Sequence, residues 1–168
     1  MAPINDAETW QKTLAALPVT SVRAGETVVA EGSKTGRLLI LKSGAVCIVK
    51  GGIEIAKVTE PGAVFGELSA LLDQPHTADV RTLEDCEFHV ADAERLLADQ
   101  AALLYVTMIL ARRLDLANRG LLELKGQIEA GEPPGLIDNT LSGLERLMSA
   151  IGTGYLNAGG AYSGYPFA

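Results

Sequence analysis

The sequence is short of positive charge, aromatic residues, paired cysteines and long apolar runs. Fourteen lysines and arginines stand against twenty-one carboxylates, a formal net charge of −7. Such a chain repels phosphate backbones, which argues against nucleic acid as a partner and leaves room only for a local site for one small anion. No stretch approaches the roughly eighteen apolar residues of a membrane span. The opening MAPINDAETW lacks the basic and then apolar pattern of a secretory signal. The expectation is a cytoplasmic protein with no membrane partner. Cys47 and Cys86 have no Cys-x-x-Cys spacing and sit in strand-like runs, so they read as reduced core thiols rather than a disulfide or a metal site. The two histidines, His76 and His89, have no ligand spacing around them, which argues against a metal enzyme. No Gly-x-Ser-x-Gly, Walker or Rossmann pattern is present. Of the eight aromatics, Tyr155, Tyr162, Tyr165 and Phe167 fall in the last fourteen residues.

What is present reads as one domain with an appendage, long enough at 168 residues and apolar enough at 48% hydrophobic to bury a core. Ala7 to Leu17 is predicted to be a short helix, with Asp6 as N-cap and Pro18 ending it. Trp10, Leu14 and Leu17 share one face of it. From Val19 to Ala91 the pattern changes to eight short β-rich runs separated by glycines, which argues for a sandwich or a barrel-like roll. Gly51-Gly52 suits a two-residue hairpin turn. In the run after it, Ile53, Ile55 and Val58 alternate with Glu54 and Lys57, as in a strand with one wet face. The β region is broken by Glu67 to Leu72, whose leucines and alanine favour helix. A short helix between strands, opening directly after Gly66, marks a candidate ligand site.

After Ala91 the period becomes helical. Asp92 to Ala98 is a short helix and Gln100 to Ala130 a long one. Leu103, Thr107, Leu110, Leu114, Ala117, Leu121, Leu124 and Ile128 are spaced by alternating fours and threes, a coiled-coil seam. Val106, Ile109 and Leu116 lie off the seam, placed to dock the helix on the roll. Two readings follow: a homodimer through this helix, or an amphipathic helix packed within one monomer. Gly120 and Gly126 each cost about 1 kcal/mol of helix propensity. Gly131 to Gly135 reads as a linker around Pro133-Pro134. Beyond it a short helix is expected over Leu136 to Ile151, then a Gly/Tyr tail that is either mobile or docked on a neighbour. The division is residues 1–130, the domain with its long helix at 100–130, and residues 131–168.

The run from Phe65 to Val80, FGELSALLDQPHTADV, resembles the phosphate-binding cassette of the cyclic-nucleotide-binding domain family. The resemblance extends from Val22 to about Ala98, with Gly25, Gly32, Gly44, Gly62 and Gly66 at the family's turn positions. It continues into Leu110-Ala111-Arg112-Arg113-Leu114, similar to the dimer helix of bacterial catabolite-activator-type regulators. The fold it implies is α+β and mainly β: an eight-stranded antiparallel, jelly-roll-like β roll. A short cassette helix is embedded in it, with an N-terminal helix before and a long C-terminal dimer helix after. It also implies a non-enzymatic regulatory domain with cAMP or cGMP as ligand, and no further cofactor or metal. By position, Gly66 would admit the backbone close to the ligand and Glu67 would accept the ribose 2′-hydroxyl. The N–H groups near Ser69 and Ala70 would face the phosphate, Leu68 would stand among the ligand-binding residues, Ser69 would add a hydroxyl, and Thr77 would reach the phosphate or a guanine amino group. The residues themselves leave alternatives: Glu67 as a helix-start carboxylate, Thr77 as a β-branched strand residue. No DNA-reading domain is expected, since Arg146 is the only basic residue after Lys125.

One position departs from the family. Before the small pair Thr77-Ala78, where an arginine is usual, stands His76. Arginine offers a permanently charged planar fork to phosphate. Histidine is shorter and mostly neutral at pH 7. Losing one member of a buried charge pair costs about 2–5 kcal/mol, roughly thirty to a few thousand-fold in affinity. The expectation is weak binding that strengthens towards pH 6, or a degenerate roll that binds no nucleotide and serves as a dimeric interaction scaffold.

Overall fold

A computed structural model describes residues 6–131. The short helix and tail expected after the linker lie outside the described residues. Helix α1 (Asp6–Ala16) leads into strands β1 (Val19–Val22), β2 (Thr27–Val29), β3 (Arg37–Ser43), β4 (Val46–Lys50), β5 (Ile53–Val58) and β6 (Val64–Phe65). Helix α2 (Glu67–Leu72), strands β7 (Asp79–Thr82) and β8 (Cys86–Asp92), and helices α3 (Ala93–Leu97) and α4 (Gln100–Glu129) follow. The eight strands form two antiparallel four-stranded sheets, in the orders β1-β8-β3-β6 and β2-β7-β4-β5. This is the mainly-β roll that the glycine-punctuated runs predict.

The alternation of β3 explains how one sheet serves two cores. Leu38 and Ile40 point to one face, Leu41 to the other, and all three are fully buried. On the outer face they join Trp10, Leu14, Val64, Leu96, Ala102, Val106 and Ile109, so α1, α3 and α4 pack there. Between the sheets lie Val29, Leu41, Val46, Val58, Phe65, Val80 and Phe88. Phe65 and Phe88 meet edge to face with centroids 6.5 Å apart, a favoured aromatic geometry. Trp10 stacks on Tyr105 at 4.2 Å, fixing α1 to α4. Val106 and Ile109 dock the long helix as their off-seam spacing predicts. Cys47 and Cys86 are free and buried.

Two expectations need correction. Strand β5 does not show one simple wet face: Ile53 is 70% exposed, while Ala56 and Val58 are buried. The cause is a bulge. Ile48 pairs with Ala56 but Val49 pairs with Glu54, which leaves Ile55 as the extra residue and reverses the alternation there. Thr77 is not a strand residue either, since β7 begins at Asp79. The Gly51-Gly52 turn has both φ angles positive, 56° and 80°, as a type I′ hairpin requires.

Candidate ligand site

Strand β6 delivers the chain to Gly66, which has φ 91° and is the N-cap of α2. A Cβ there would stand 2.7 Å from the Arg37 carbonyl oxygen and 3.4 Å from His76 Cε1. Only glycine lets β6 turn into α2 this close to β3. Helix α2 then turns Glu67 inward, where it is 4% exposed. Its Oε1 accepts a hydrogen bond from Arg113 Nη1 of α4 at 2.5 Å, and Arg113 Nη2 donates to the Val64 carbonyl at 3.1 Å. One guanidinium thus joins α4, α2 and β6. A carboxylate this buried needs such a partner, since the charge alone would be costly.

The rest of the cassette closes on itself. Ser69 Oγ donates to the Gln74 carbonyl at 2.6 Å, and the Gln74 N–H returns to the Ser69 carbonyl at 3.2 Å. The Ser69 hydroxyl proton is therefore spent inside the cassette instead of being offered to a ligand. Ala70 also departs from expectation. Its N–H is taken by the Gly66 carbonyl, and its methyl packs against the helical core. The chain reverses at Asp73, left-handed with φ 52°, whose carboxylate pairs with Lys34. His76 is pinned by its backbone: its N–H donates to the Ser33 carbonyl at 2.7 Å, and its carbonyl accepts from Gly32 at 2.8 Å. The ring is 6% exposed, with Nε2 3.1 Å from Thr35 Oγ1. Burial holds its pKa below the ordinary value, and the nearby Glu67 carboxylate offsets this only in part.

These residues line a cavity of about 410 Å³, within the size range of small-ligand sites. Gly66, Glu67, Leu68, Ser69, His76, Thr77 and Arg113 all border it, and Ala70 does not. The other walls are largely apolar: Val29, Ile48, Ala56, Val58, Phe65 and Val80 from the roll, and the bulged Ile55. Helix α4 closes one side with Leu110, Leu114 and Ala117. Three residues of the predicted seam therefore face the cavity. Of the others, Leu103 and Leu121 are exposed and Leu124 half-buried. Thr107 is exposed and donates to its own helix at the Leu103 carbonyl, 2.8 Å. Among the described residues no group of three His, Cys, Asp or Glu side chains is placed to hold a metal ion. No described helix is long and apolar enough to cross a membrane.

Arg113 is the functional residue that sequence reasoning passed over. Its signal was available: it follows Leu110 by three and precedes Ala117 by four, so it shares the face that carries both. Thr35 gave no signal, because its contact with His76 depends on two loops meeting.

His76 also predicts how stability responds to pH. Its pKa, and that of the half-buried His89, are lowered in the fold by burial, so the unfolded chain binds protons more readily. Stability is then full above about pH 6.5 and falls as pH drops below it. The carboxylates with lowered pKa values, Asp73, Asp79 and Glu87, act in a separate window below about pH 4.5. Melting curves between pH 8 and 5 are expected to show a falling midpoint below pH 6.5, with a shallower fall in His76→Gln. A flat profile across that range would refute the assignment.

An antiparallel roll around a small cavity, with a short helix at its mouth and a long helix across it, defines a small-molecule-binding domain. The family model described as "Cyclic nucleotide-binding domain" matches residues 19–98, the stretch from β1 through α3. A cAMP-dependent protein kinase regulatory subunit from Yarrowia lipolytica is 30% identical over 81 residues, 48% of this chain and 21% of that protein. A cGMP-dependent protein kinase from Eimeria tenella is 38% identical over 69 residues, 41% of this chain and 7% of that one. The chain thus spans about a fifth or less of these relatives' length. Among solved structures, the catabolite activator protein of Thermus thermophilus superposes with a TM-score of 0.60 at 21% identity. That superposition covers 86% of this chain and 81% of that one, a likeness of fold.

Proposed function

We propose that this chain is a non-enzymatic regulatory domain that binds cAMP or cGMP weakly, and more strongly as pH falls towards 6. The observation that carries the reading is the cavity itself, with the buried Glu67 carboxylate on one wall and His76 in the place of the expected cation. Glu67 accepts the ribose hydroxyl, and Thr77 stands on the same lining for the phosphate or base. The ionisable groups lining the cavity are Glu67, Arg113, His76 and Lys50, and histidine is the side chain whose charge changes near neutrality. Its lowered pKa puts the gain in phosphate attraction below pH 6.5, not at neutrality. The reading keeps the domain in the cytoplasm, away from nucleic acid, and consistent with free thiols at Cys47 and Cys86.

The output runs through α4. Leu110, Arg113, Leu114 and Ala117 touch the cavity, and the same helix carries exposed Leu103, Leu114, Leu121, Leu122 and Ile128. Such a row of exposed apolar side chains on one helix favours a homodimer. It also supports the second reading, a dimeric scaffold whose cavity stays empty. Calorimetry with cAMP and cGMP at pH 6 and pH 8 separates the two. The sensor reading expects a dissociation constant in the high micromolar to millimolar range, several-fold lower at pH 6. No heat with millimolar ligand at either pH leaves the scaffold.

A further inference from the structure

The polar end of the cavity is electrically balanced. The ionic groups there are Glu67 and Arg113, already joined to one another at 2.5 Å, and a histidine that is neutral at pH 7. The charge of Arg113 is already matched by Glu67, so it adds little net attraction for a ligand anion. Its two terminal nitrogens are engaged by Glu67 and by the Val64 carbonyl. Turning the fork away would strand a nearly fully buried carboxylate. The fourth ionisable lining residue, Lys50, is exposed at the end of β4, before the Gly51-Gly52 turn. Water and salt reduce what it adds to an anion's binding to about fivefold at most. Helix α2 has only six residues, too short for its dipole to take the place of a missing cation. At this end no buried side chain therefore offers an unmatched positive charge to offset the desolvation of a phosphodiester.

What the cavity does offer is a buried carboxylate acceptor, the Thr77 hydroxyl and a largely apolar remainder from both the roll and α4. That set suits an uncharged, flat molecule carrying neighbouring hydroxyls. Resting on the reading that this cavity binds nucleotide-like ligands, we infer that its preferred occupant is an uncharged purine nucleoside, not the cyclic phosphate. The sugar hydroxyls bond to Glu67, the base lies against Ile48, Ile55, Leu110 and Leu114, and the 5′-hydroxyl stands where a phosphate would find no cation.

The test is calorimetry of the full 168-residue chain at pH 7.5 with adenosine, guanosine, cAMP and cGMP. The expected result is that a nucleoside binds at least threefold more tightly than its own cyclic phosphate. His76→Arg is expected to tighten the cyclic nucleotide by tenfold or more relative to its own nucleoside. His76→Gln, neutral at every pH, is expected to keep the wild-type order, with the nucleoside binding more tightly than its own cyclic phosphate at pH 7.5 and at pH 6 alike. It guards against a His76→Arg chain that fails to fold. A cyclic nucleotide binding tenfold more tightly than its nucleoside to the wild-type chain would overturn the inference and leave the cyclic-nucleotide reading standing. If none of the four binds at millimolar concentration, both fall together.

Discussion

Arg113→Met should be among the most damaging single substitutions in the described part of the chain. It removes the partner of a carboxylate that is 4% exposed and leaves everything else about Glu67 in place. Breaking a buried pair from one side typically costs 3–5 kcal/mol, because the remaining charge has neither water nor partner. Arg113's own side chain is about a quarter exposed, so some water reaches the gap and the expected cost is roughly 2–4 kcal/mol. In a domain of this size that lowers the melting midpoint on the order of 10 °C. The Val64 carbonyl also loses its donor, which adds to the loss. Glu67→Gln/Arg113→Met should be milder than Arg113→Met alone, since an amide is far cheaper to bury than a carboxylate. A thermal double-mutant cycle reads this directly, with an expected coupling of at least about 1.5 kcal/mol. A coupling near zero would mean that the pair is a solvated surface contact and that α4 is held by its apolar contacts, Ala102, Tyr105, Val106 and Ile109 among them.

Much of this architecture is legible in the sequence, and the reasons are local. Glycine-bounded runs of β-branched residues place all eight strands, because a turn requiring positive φ leaves its signature in residue type. The helices are legible through apolar spacing: Trp10, Leu14 and Leu17 on α1, Val106 and Ile109 on α4. What escapes is set by tertiary register. The bulge at Ile55 depends on how β5 meets β4, and nothing in the alternation of Ile53, Glu54 and Ile55 announces it. Ser69 and Ala70 look like ligand groups by position, yet the return of the chain through Gln74 and the helix's own first bond consume their donors. The seam on α4 is a true apolar row, but spacing cannot say that Leu110, Leu114 and Ala117 look towards a cavity. A helix that closes a ligand site and a helix that meets a partner are written with the same leucines.

Gly66→Ala is expected to cost both stability and binding, for reasons that a control can separate. At φ 91° an L-residue is strained, typically by about 1–3 kcal/mol. The new methyl would also sit 2.7 Å from the Arg37 carbonyl oxygen. That oxygen belongs to the first residue of β3, which is held in register opposite Asp92 of β8, so it cannot retreat without opening the sheet. Overpacking of this kind typically adds about 1–3 kcal/mol, giving roughly 2–6 kcal/mol in all. Gly52→Ala supplies the comparison. It has a similarly positive φ of 80°, but nothing lies within 4 Å of its Cβ. It should lose only the conformational part, about 1–3 kcal/mol as at Gly66. Denaturant unfolding of the two variants isolates the steric cost as their difference. The clash can be relieved only by moving α2 or β3, and Glu67 is the first residue of α2. Gly66→Ala should therefore lose measurable ligand binding even where it remains folded, while Gly52→Ala keeps it. Equal losses in the two variants would show that the approach of α2 to β3 is not what positions Glu67.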